Sequence, residues 1–181
     1  MSFVVAVTVE RTIGCAPETF VEFVLDVRRY AEVDDKIGRI LWVRRRPGLT
    51  EFKFRPRLPG LRLPEPGTVS RMRLVQGNRI DIALAPLPRN ALSRFVSRFR
   101  AGFTCAPAPG GTTVTRTISF DFNPLVRPLL EPTLRHTLPE SVERELRLAE
   151  EILGGAEQGA RPWAGERSGA SLRKDRRIKE T

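Results

Sequence analysis

The chain has 181 residues, 40% of them hydrophobic, and a formal net charge of +10. This length is typical of one domain with a buried core, and no apolar run approaches the roughly 18 residues of a membrane span. The N-terminus, Met1-Ser2-Phe3-Val4, lacks the basic segment and long apolar stretch of a secretory leader. Cys15 and Cys105 fit no metal-ligand spacing. Because no export signal is found, we expect a cytoplasmic protein in which these thiols are reduced.

The positive charge comes from 31 Lys and Arg residues, nearly all of them arginine. The arginines are dispersed over predicted strands and helices instead of being gathered on one recognition helix. This dispersal argues against a nucleic-acid partner.

The residue pattern of the first part of the chain predicts a strand, two short helices and six further strands. Residues 3–12 alternate in polarity, as a half-buried strand does. Pro17 and Glu18 favour a helix start, and a second short helix is predicted within Asp26–Asp35. The later strands are predicted at Lys36–Arg45, Thr50–Arg55, Gly67–Gln76, Arg79–Ala85, Ser93–Cys105 and Thr112–Phe122, with turns at Pro47-Gly48 and Gly77-Asn78.

A proline-rich loop separates the third and fourth strands. Its Leu58, Leu61 and Leu63 are unusually apolar for a loop. They either cover an edge of the core or form an apolar lid over a cavity.

A long helix is predicted over Asn123–Leu153. Pro132 and Pro139 predict a kink near His136–Pro139, where Thr137 and Glu140 have the spacing of a capping box. One helix face is apolar, formed by Leu130, Leu134, Leu138, Val142, Leu146, Ala149 and Leu153.

Together these elements predict an α+β fold. Seven strands joined largely by hairpins form an antiparallel sheet, and the long helix needs a large apolar surface to lie against. We therefore expect a curved seven-stranded sheet around the C-terminal helix, with two short helices after the first strand.

The predicted domain spans residues 1–153, and residues 154–181 are predicted to be a disordered basic tail. Gly154-Gly155 is expected to stop the helix, and the tail has almost no aliphatic residues. The basic cluster at 173–179 is either a solubilising end or a segment that weakly contacts acidic surfaces.

One segment carries a family resemblance. It runs from Val9-Glu10-Arg11-Thr12-Ile13 through Ala16-Pro17-Glu18 to Asp26-Val27-Arg28-Arg29-Tyr30. It resembles the opening of the polyketide cyclase/dehydrase and START-like (SRPBCC) superfamily, and the element order agrees over about residues 3–153. The resemblance implies a helix-grip fold with an internal cavity that binds lipids, polyketides, quinones or similar molecules, which some members cyclise or dehydrate. It carries over no catalytic residue, because the superfamily has no universal catalytic motif.

The sequence contains few signs of catalysis. It has no phosphate-binding loop, nucleophile elbow or metal-binding helix, so no cofactor or metal is predicted. His136, the only histidine, lies nearly opposite the leucine face and is predicted to be exposed. Asp34-Asp35 fits a turn or cap better than an acid/base pair.

Arg116 is the most informative charged residue, because it is in phase with Val114, Ile118 and Phe120 and should point inward. A buried arginine must be paired or hydrogen-bonded. It is therefore either part of a salt bridge, such as one with a glutamate of the last helix, or an anchor for a polar or anionic ligand head.

These observations predict the binding or carriage of a hydrophobic small molecule. The alternatives are a polyketide cyclase or dehydratase using Arg116 with tyrosine or acidic groups, and a packed interaction module without a cavity. The sequence does not indicate an oligomeric state. The predicted ligand-binding residues are Trp42, Phe54, Met72, Leu74, Ile82, Leu84, Phe99, Phe103, Arg116, Ile118, Phe120, Leu130, Leu134 and Leu138.

Overall fold

The computed structural model describes residues 4–61, 67–76 and 78–159. The predictions for Phe3, Leu63, Gly77 and residues 160–181 lie outside the described residues. The elements are β1 (Val4–Ile13), α1 (Pro17–Leu25), α2 (Val27–Tyr30), β2 (Ile37–Arg46), β3 (Leu49–Pro56), β4 (Thr68–Val75), β5 (Arg79–Leu84), α3 (Ala91–Val96), β6 (Ser97–Ala108), β7 (Gly111–Phe122) and α4 (Arg127–Gly159).

The strands form one antiparallel sheet in the order β1-β7-β6-β5-β4-β3-β2. Strands β2 to β7 pair with their neighbours in the chain, and β1 joins the sheet beside β7. The sheet curves around α4, so the predicted α+β architecture is confirmed. Helices α1 and α2 follow β1, as the sequence indicates.

Helix α4 lies along β1 and β7. All seven residues of its predicted apolar face are buried, from Leu130 to Leu153. The inward-facing residues of β7 are also buried, because strict alternation places Val114, Ile118, Phe120 and Phe122 on one side of the sheet. None of the described helices is long and apolar enough to cross a membrane.

The predicted kink of α4 near His136–Pro139 stays a prediction, whereas the predicted end of the helix was wrong. The helix is continuous through Pro132 and Pro139, and the Thr137 hydroxyl lies 2.8 Å from the Pro59 carbonyl and 2.9 Å from that of Thr133. The helix also extends past Gly154 to Gly159. Glycine disfavours a helix by only about 1 kcal/mol relative to alanine, so two glycines do not end it.

The predicted strand start at Ser93 was wrong, because Ala91–Val96 forms helix α3 and β6 begins at Ser97. Phe95 therefore does not share a sheet face with Phe99 and Phe103, and it is 56% exposed. The four-residue spacing of these phenylalanines fits a helix as well as a strand, so periodicity alone could not decide.

The core consists of two apolar clusters along α4. One surrounds the N-terminal half of the helix, and the other joins its C-terminal half to α1, α2 and the inner face of the sheet. Cys15 and Cys105 belong to the second cluster, and burial raises the pKa of the Cys105 thiol to about 12. That thiol is therefore protonated at neutral pH.

Candidate functional site

A cavity of about 270 Å³ lies between the inner face of the sheet, α3 and the start of α4. Its walls come from β3 to β7 and from the loop after β3. The lining reaches the surface at Leu129, which is 64% exposed. The described structure therefore has room for a small ligand beside the helix.

Most of the predicted ligand-binding residues line this cavity. They are Phe54, Met72, Ile82, Leu84, Phe99, Arg116, Ile118, Phe120 and Leu130. Placing them there does not test binding, which stays a proposal.

Five of the predicted residues do not line the cavity. Trp42 is half-buried on β2, with the Arg44 guanidinium 5.1 Å from its ring centroid. Leu74 is 37% exposed, and its backbone amide donates a hydrogen bond to the Gly48 carbonyl at the β2–β3 turn. Phe103, Leu134 and Leu138 are buried but pack elsewhere in the two clusters. Alternation assigns a residue to a sheet face, but it does not say how far along the strand the cavity extends.

The loop leucines combine both predicted roles. Leu58 and Leu61 pack against the cluster around the N-terminal half of α4, and Leu58 also lines the cavity. The described part of the loop therefore covers the core edge and forms part of the cavity wall.

Four polar residues form one end of this mostly apolar cavity: Tyr30, Asp34, Lys36 and Arg116. They converge on Glu145 of α4, which is 1% exposed. We call these five residues the polar cluster.

Glu145 bonds three members of the polar cluster. The Tyr30 hydroxyl donates to its Oε1 atom, and the Arg116 Nε donates to the same atom at 3.1 Å. The Lys36 Nζ donates to Oε2 at 2.7 Å. Asp34 completes the cluster, with its Oδ1 2.8 Å from the Lys36 Nζ and its Oδ2 3.8 Å from a terminal nitrogen of Arg116. Two cations thus face two carboxylates.

Arg116 points inward as predicted, and the ion pair with a glutamate of the last helix is present. Its guanidinium also lies 4.2 Å from the Phe103 ring centroid, a cation–π arrangement. Arg116 also lines the cavity. Its predicted second role, as an anchor for a polar ligand head, therefore stays a prediction.

Sequence reasoning missed most of the polar cluster. The Asp34-Asp35 turn is present, since the Asp34 carboxylate accepts the Lys36 amide at 3.0 Å, but Asp34 is also buried in the cluster. Glu145 had a detectable signal: it is three residues after Val142 and four before Ala149, on the buried face of α4. No pattern along the chain pointed to Tyr30 or Lys36.

The pKa directions in the polar cluster follow from burial and pairing. Burial raises the pKa of the Tyr30 phenol well above its ordinary value. Burial alone would raise the pKa of Asp34, but attraction to Lys36 and Arg116 lowers it. Burial would lower the pKa of Lys36, but Asp34 and Glu145 raise it, and Glu145 likewise raises the pKa of Arg116 against the effect of burial. At neutral pH Tyr30 is therefore uncharged, while Asp34, Lys36 and Arg116 are ionised.

The remaining candidates for catalysis lie outside the cavity. His136 is exposed on α4, as predicted. Among the described residues, no group of three or more His, Cys, Asp or Glu side chains is arranged to hold a metal ion.

Comparison with known proteins identifies the family. A family model described as polyketide cyclase / dehydrase and lipid transport matches residues 4–152. The chain belongs to this family. The family includes aromatase/cyclases as well as lipid-transport proteins, so membership does not choose between catalysis and carriage. The comparison with curated proteins gave no match.

Solved structures show the same helix-grip fold. TTHA0849 from Thermus thermophilus has a TM-score of 0.65 at 18% identity, covering 83% of this chain and 98% of its own. The Zhui aromatase/cyclase from Streptomyces sp. R1128 has a TM-score of 0.60 at 17% identity, covering 90% and 99%. A START superfamily protein from Mycobacterium smegmatis has a TM-score of 0.53 at 18% identity, covering 83% and 98%. At these identities the likeness concerns the fold alone.

The first prediction concerns Glu145. Replacing it with alanine leaves the buried Arg116 and Lys36 with Asp34 as their one remaining buried carboxylate, so we expect a loss of about 3–5 kcal/mol in the free energy of unfolding, measured with urea. Glu150→Ala on the same helix is the control, because the Glu150–Arg11 pair is about 40% exposed and exposed pairs contribute about 0–1 kcal/mol. Equal losses in the two variants would contradict a structural role for the polar cluster.

The second prediction concerns pH. The pKa of Asp34 is lower in the folded protein than in the unfolded chain, where it is about 3.9. Its stabilising contribution is therefore present above pH 4 or so and is lost as the pH falls through the folded pKa. Urea unfolding between pH 6 and pH 2 should show a weaker loss of stability for Asp34→Asn than for the wild type. Asp81→Asn, a change at a half-exposed residue of β5, should keep the wild-type slope, and an equal slope in Asp34→Asn would refute the assignment.

Proposed function

We propose that this chain binds and carries a hydrophobic small molecule in the cavity beside α4. The observation that supports this most is a mostly apolar cavity with a fully paired polar cluster at one end. Removing apolar ligand surface from water contributes about 25 cal/mol for each Å², so apolar walls supply affinity without many directed contacts. The polar cluster then orients the ligand.

The cavity favours a compact ligand. Its volume of about 270 Å³ is close to the lower end of the range of roughly 300–1,000 Å³ that is usual for small-molecule sites. A polyketide-like or quinone-like ring system suits this volume better than a long lipid.

The charge balance of the polar cluster favours a ligand with a neutral polar group. Lys36 and Arg116 are already paired with Asp34 and Glu145. A carboxylate entering this end would be desolvated without gaining an unpaired cation. A carbonyl or hydroxyl oxygen needs only a hydrogen bond, which the Lys36 ammonium or the Arg116 guanidinium can donate.

A cyclase or dehydratase acting on a polyketide-like substrate is a second candidate. It is supported by several titratable groups at the cavity wall that lie within hydrogen-bonding distance of one another. However, a general acid or base works best with a pKa near the working pH, and the shifts move Tyr30, Asp34 and Lys36 away from neutrality. This argues for polarisation of a carbonyl by Lys36 or Arg116 instead of proton transfer. Conversion of a linear poly-β-ketone to an aromatic product would establish the enzyme.

The third prediction tests occupancy of the cavity. Leu84→Trp places a larger side chain in the cavity wall and should weaken binding of N-phenyl-1-naphthylamine, a neutral fluorescent probe, by about tenfold or more. Leu74→Trp is the matched control, since Leu74 is on the neighbouring strand, away from the cavity, and should bind the probe like the wild type. Equal affinities in the two variants, or no probe binding to the wild type, would refute the proposal.

The fourth prediction tests the polar end. Displacement of the same probe at pH 7 should show tighter binding of 2-decanone than of decanoate, which has the same chain length and a negative charge. Asp34→Asn removes one carboxylate and leaves an excess cation, so it should shift the preference toward decanoate. Tighter binding of decanoate to the wild type would show that the cluster acts as an anion site.

A further inference from the structure

Four large apolar side chains are exposed on α3 and around the start of α4, the two segments that also contribute residues to the cavity lining. They are 56–81% exposed, and we call them the rim patch: Leu92, Phe95, Leu125 and Leu129. Isolated exposed leucines are common on protein surfaces, but a cluster of this kind marks an interaction site.

The elements that carry the rim patch meet at the cavity. Leu92 and Phe95 are three residues apart on α3 and share one face of that helix. Leu129 is in the first turn of α4, and Leu125 is in the turn just before it. The Asn123 amide donates to the Val96 carbonyl at 3.0 Å and joins the end of α3 to the segment before α4.

The cavity lining confirms this placement. Ser93 and Val96 of α3 line the cavity, and so do Val126, just before α4, and Leu129 in its first turn. The rim patch therefore lies on the two elements that border the opening.

Buried hydrogen bonds hold the start of α3 in place. The Asn90 side-chain amide donates to the Val69 and Ala85 carbonyls at 2.8 Å each, and its oxygen accepts the Val69 amide at 2.9 Å. The exposure of Leu92 and Phe95 thus belongs to an anchored helix.

Exposed basic residues predominate on α3 and on the strand that follows it. The sequence contains no Asp or Glu between Asp81 and Asp121, while this segment carries five arginines, of which Arg89 pairs with Glu51 and Arg116 is buried. Arg94, Arg98 and Arg100 are exposed. A surface that combines leucine and phenylalanine with arginine complements an anionic lipid surface, where apolar side chains enter the interface and basic ones contact the phosphates.

We propose that the rim patch docks the protein onto an anionic lipid bilayer. A bilayer fits better than a protein partner because the opening would then face an apolar phase, and a hydrophobic ligand could enter without crossing water. Docking itself does not depend on the ligand, whereas ligand transfer from the bilayer rests on the proposed function.

Vesicle co-sedimentation tests this proposal. The full chain should sediment with phosphatidylcholine vesicles containing about 30% phosphatidylglycerol and much less with phosphatidylcholine alone, and added salt should weaken the binding. The double variant Leu92→Glu/Phe95→Glu should bind the anionic vesicles at least about tenfold more weakly. Leu41→Glu is the control, at a 42% exposed leucine on the edge strand β2, and should bind within about twofold of the wild type.

Several results would overturn the proposal. Failure of the wild type to sediment would do so, as would unchanged binding of the double variant, which would assign vesicle binding to other basic parts of the chain. A dimer that the double variant abolishes, without vesicle binding, would make the rim patch a contact between two copies. If the two glutamate substitutions prevent folding, the double variant Leu92→Ser/Phe95→Ser takes their place in the same assay. Probe affinity without vesicles should not change in these variants, which separates this proposal from the proposed function.

Discussion

The pairing of Glu145 with Arg116 and Lys36 is the constraint on which the rest of the structure depends. A charge that is removed from water must meet an opposite charge, so burying Glu145 fixes where α4 can lie on the sheet. The apolar face of the helix determines which side of α4 meets the sheet, and the buried carboxylate in addition requires two specific cations opposite it. The polar cluster therefore sets the rotation of α4, and with it the space left between the helix and the strands β3 to β6.

The same cluster gives the cavity its chemical character. Its cations and carboxylates balance, and the pairing keeps Asp34, Lys36 and Arg116 charged at neutral pH. The result is a polar surface with hydrogen-bonding capacity and no net charge at the end of an apolar space. Such a surface suits hydrogen bonding to an uncharged oxygen better than proton transfer, which is why we propose carriage as the function.

Short-range patterns predicted most of the fold. The alternation in β7 and the leucine spacing in α4 report directly on which side faces the core, and both were confirmed. The same alternation placed Arg116 inside. The patterns failed where long-range packing decides. Helix α3 replaced part of a predicted strand, and Trp42 and Leu74 lie outside the cavity. Tyr30 and Lys36 bond to Glu145 across more than 100 residues of the chain. Cavity shape depends on how elements distant in sequence meet, so it could not be read from local periodicity.

Helix α4 joins the opening of the cavity to the polar cluster. Leu129 lines the opening, and Glu145, which bonds residues that line the other end, is 16 residues further along the same helix, a distance of about 24 Å at 1.5 Å per residue. Suppose that a partner bound at one end of this helix changes the affinity of the protein for its ligand by some factor. By thermodynamic linkage, the ligand then changes the affinity of the protein for that partner by the same factor.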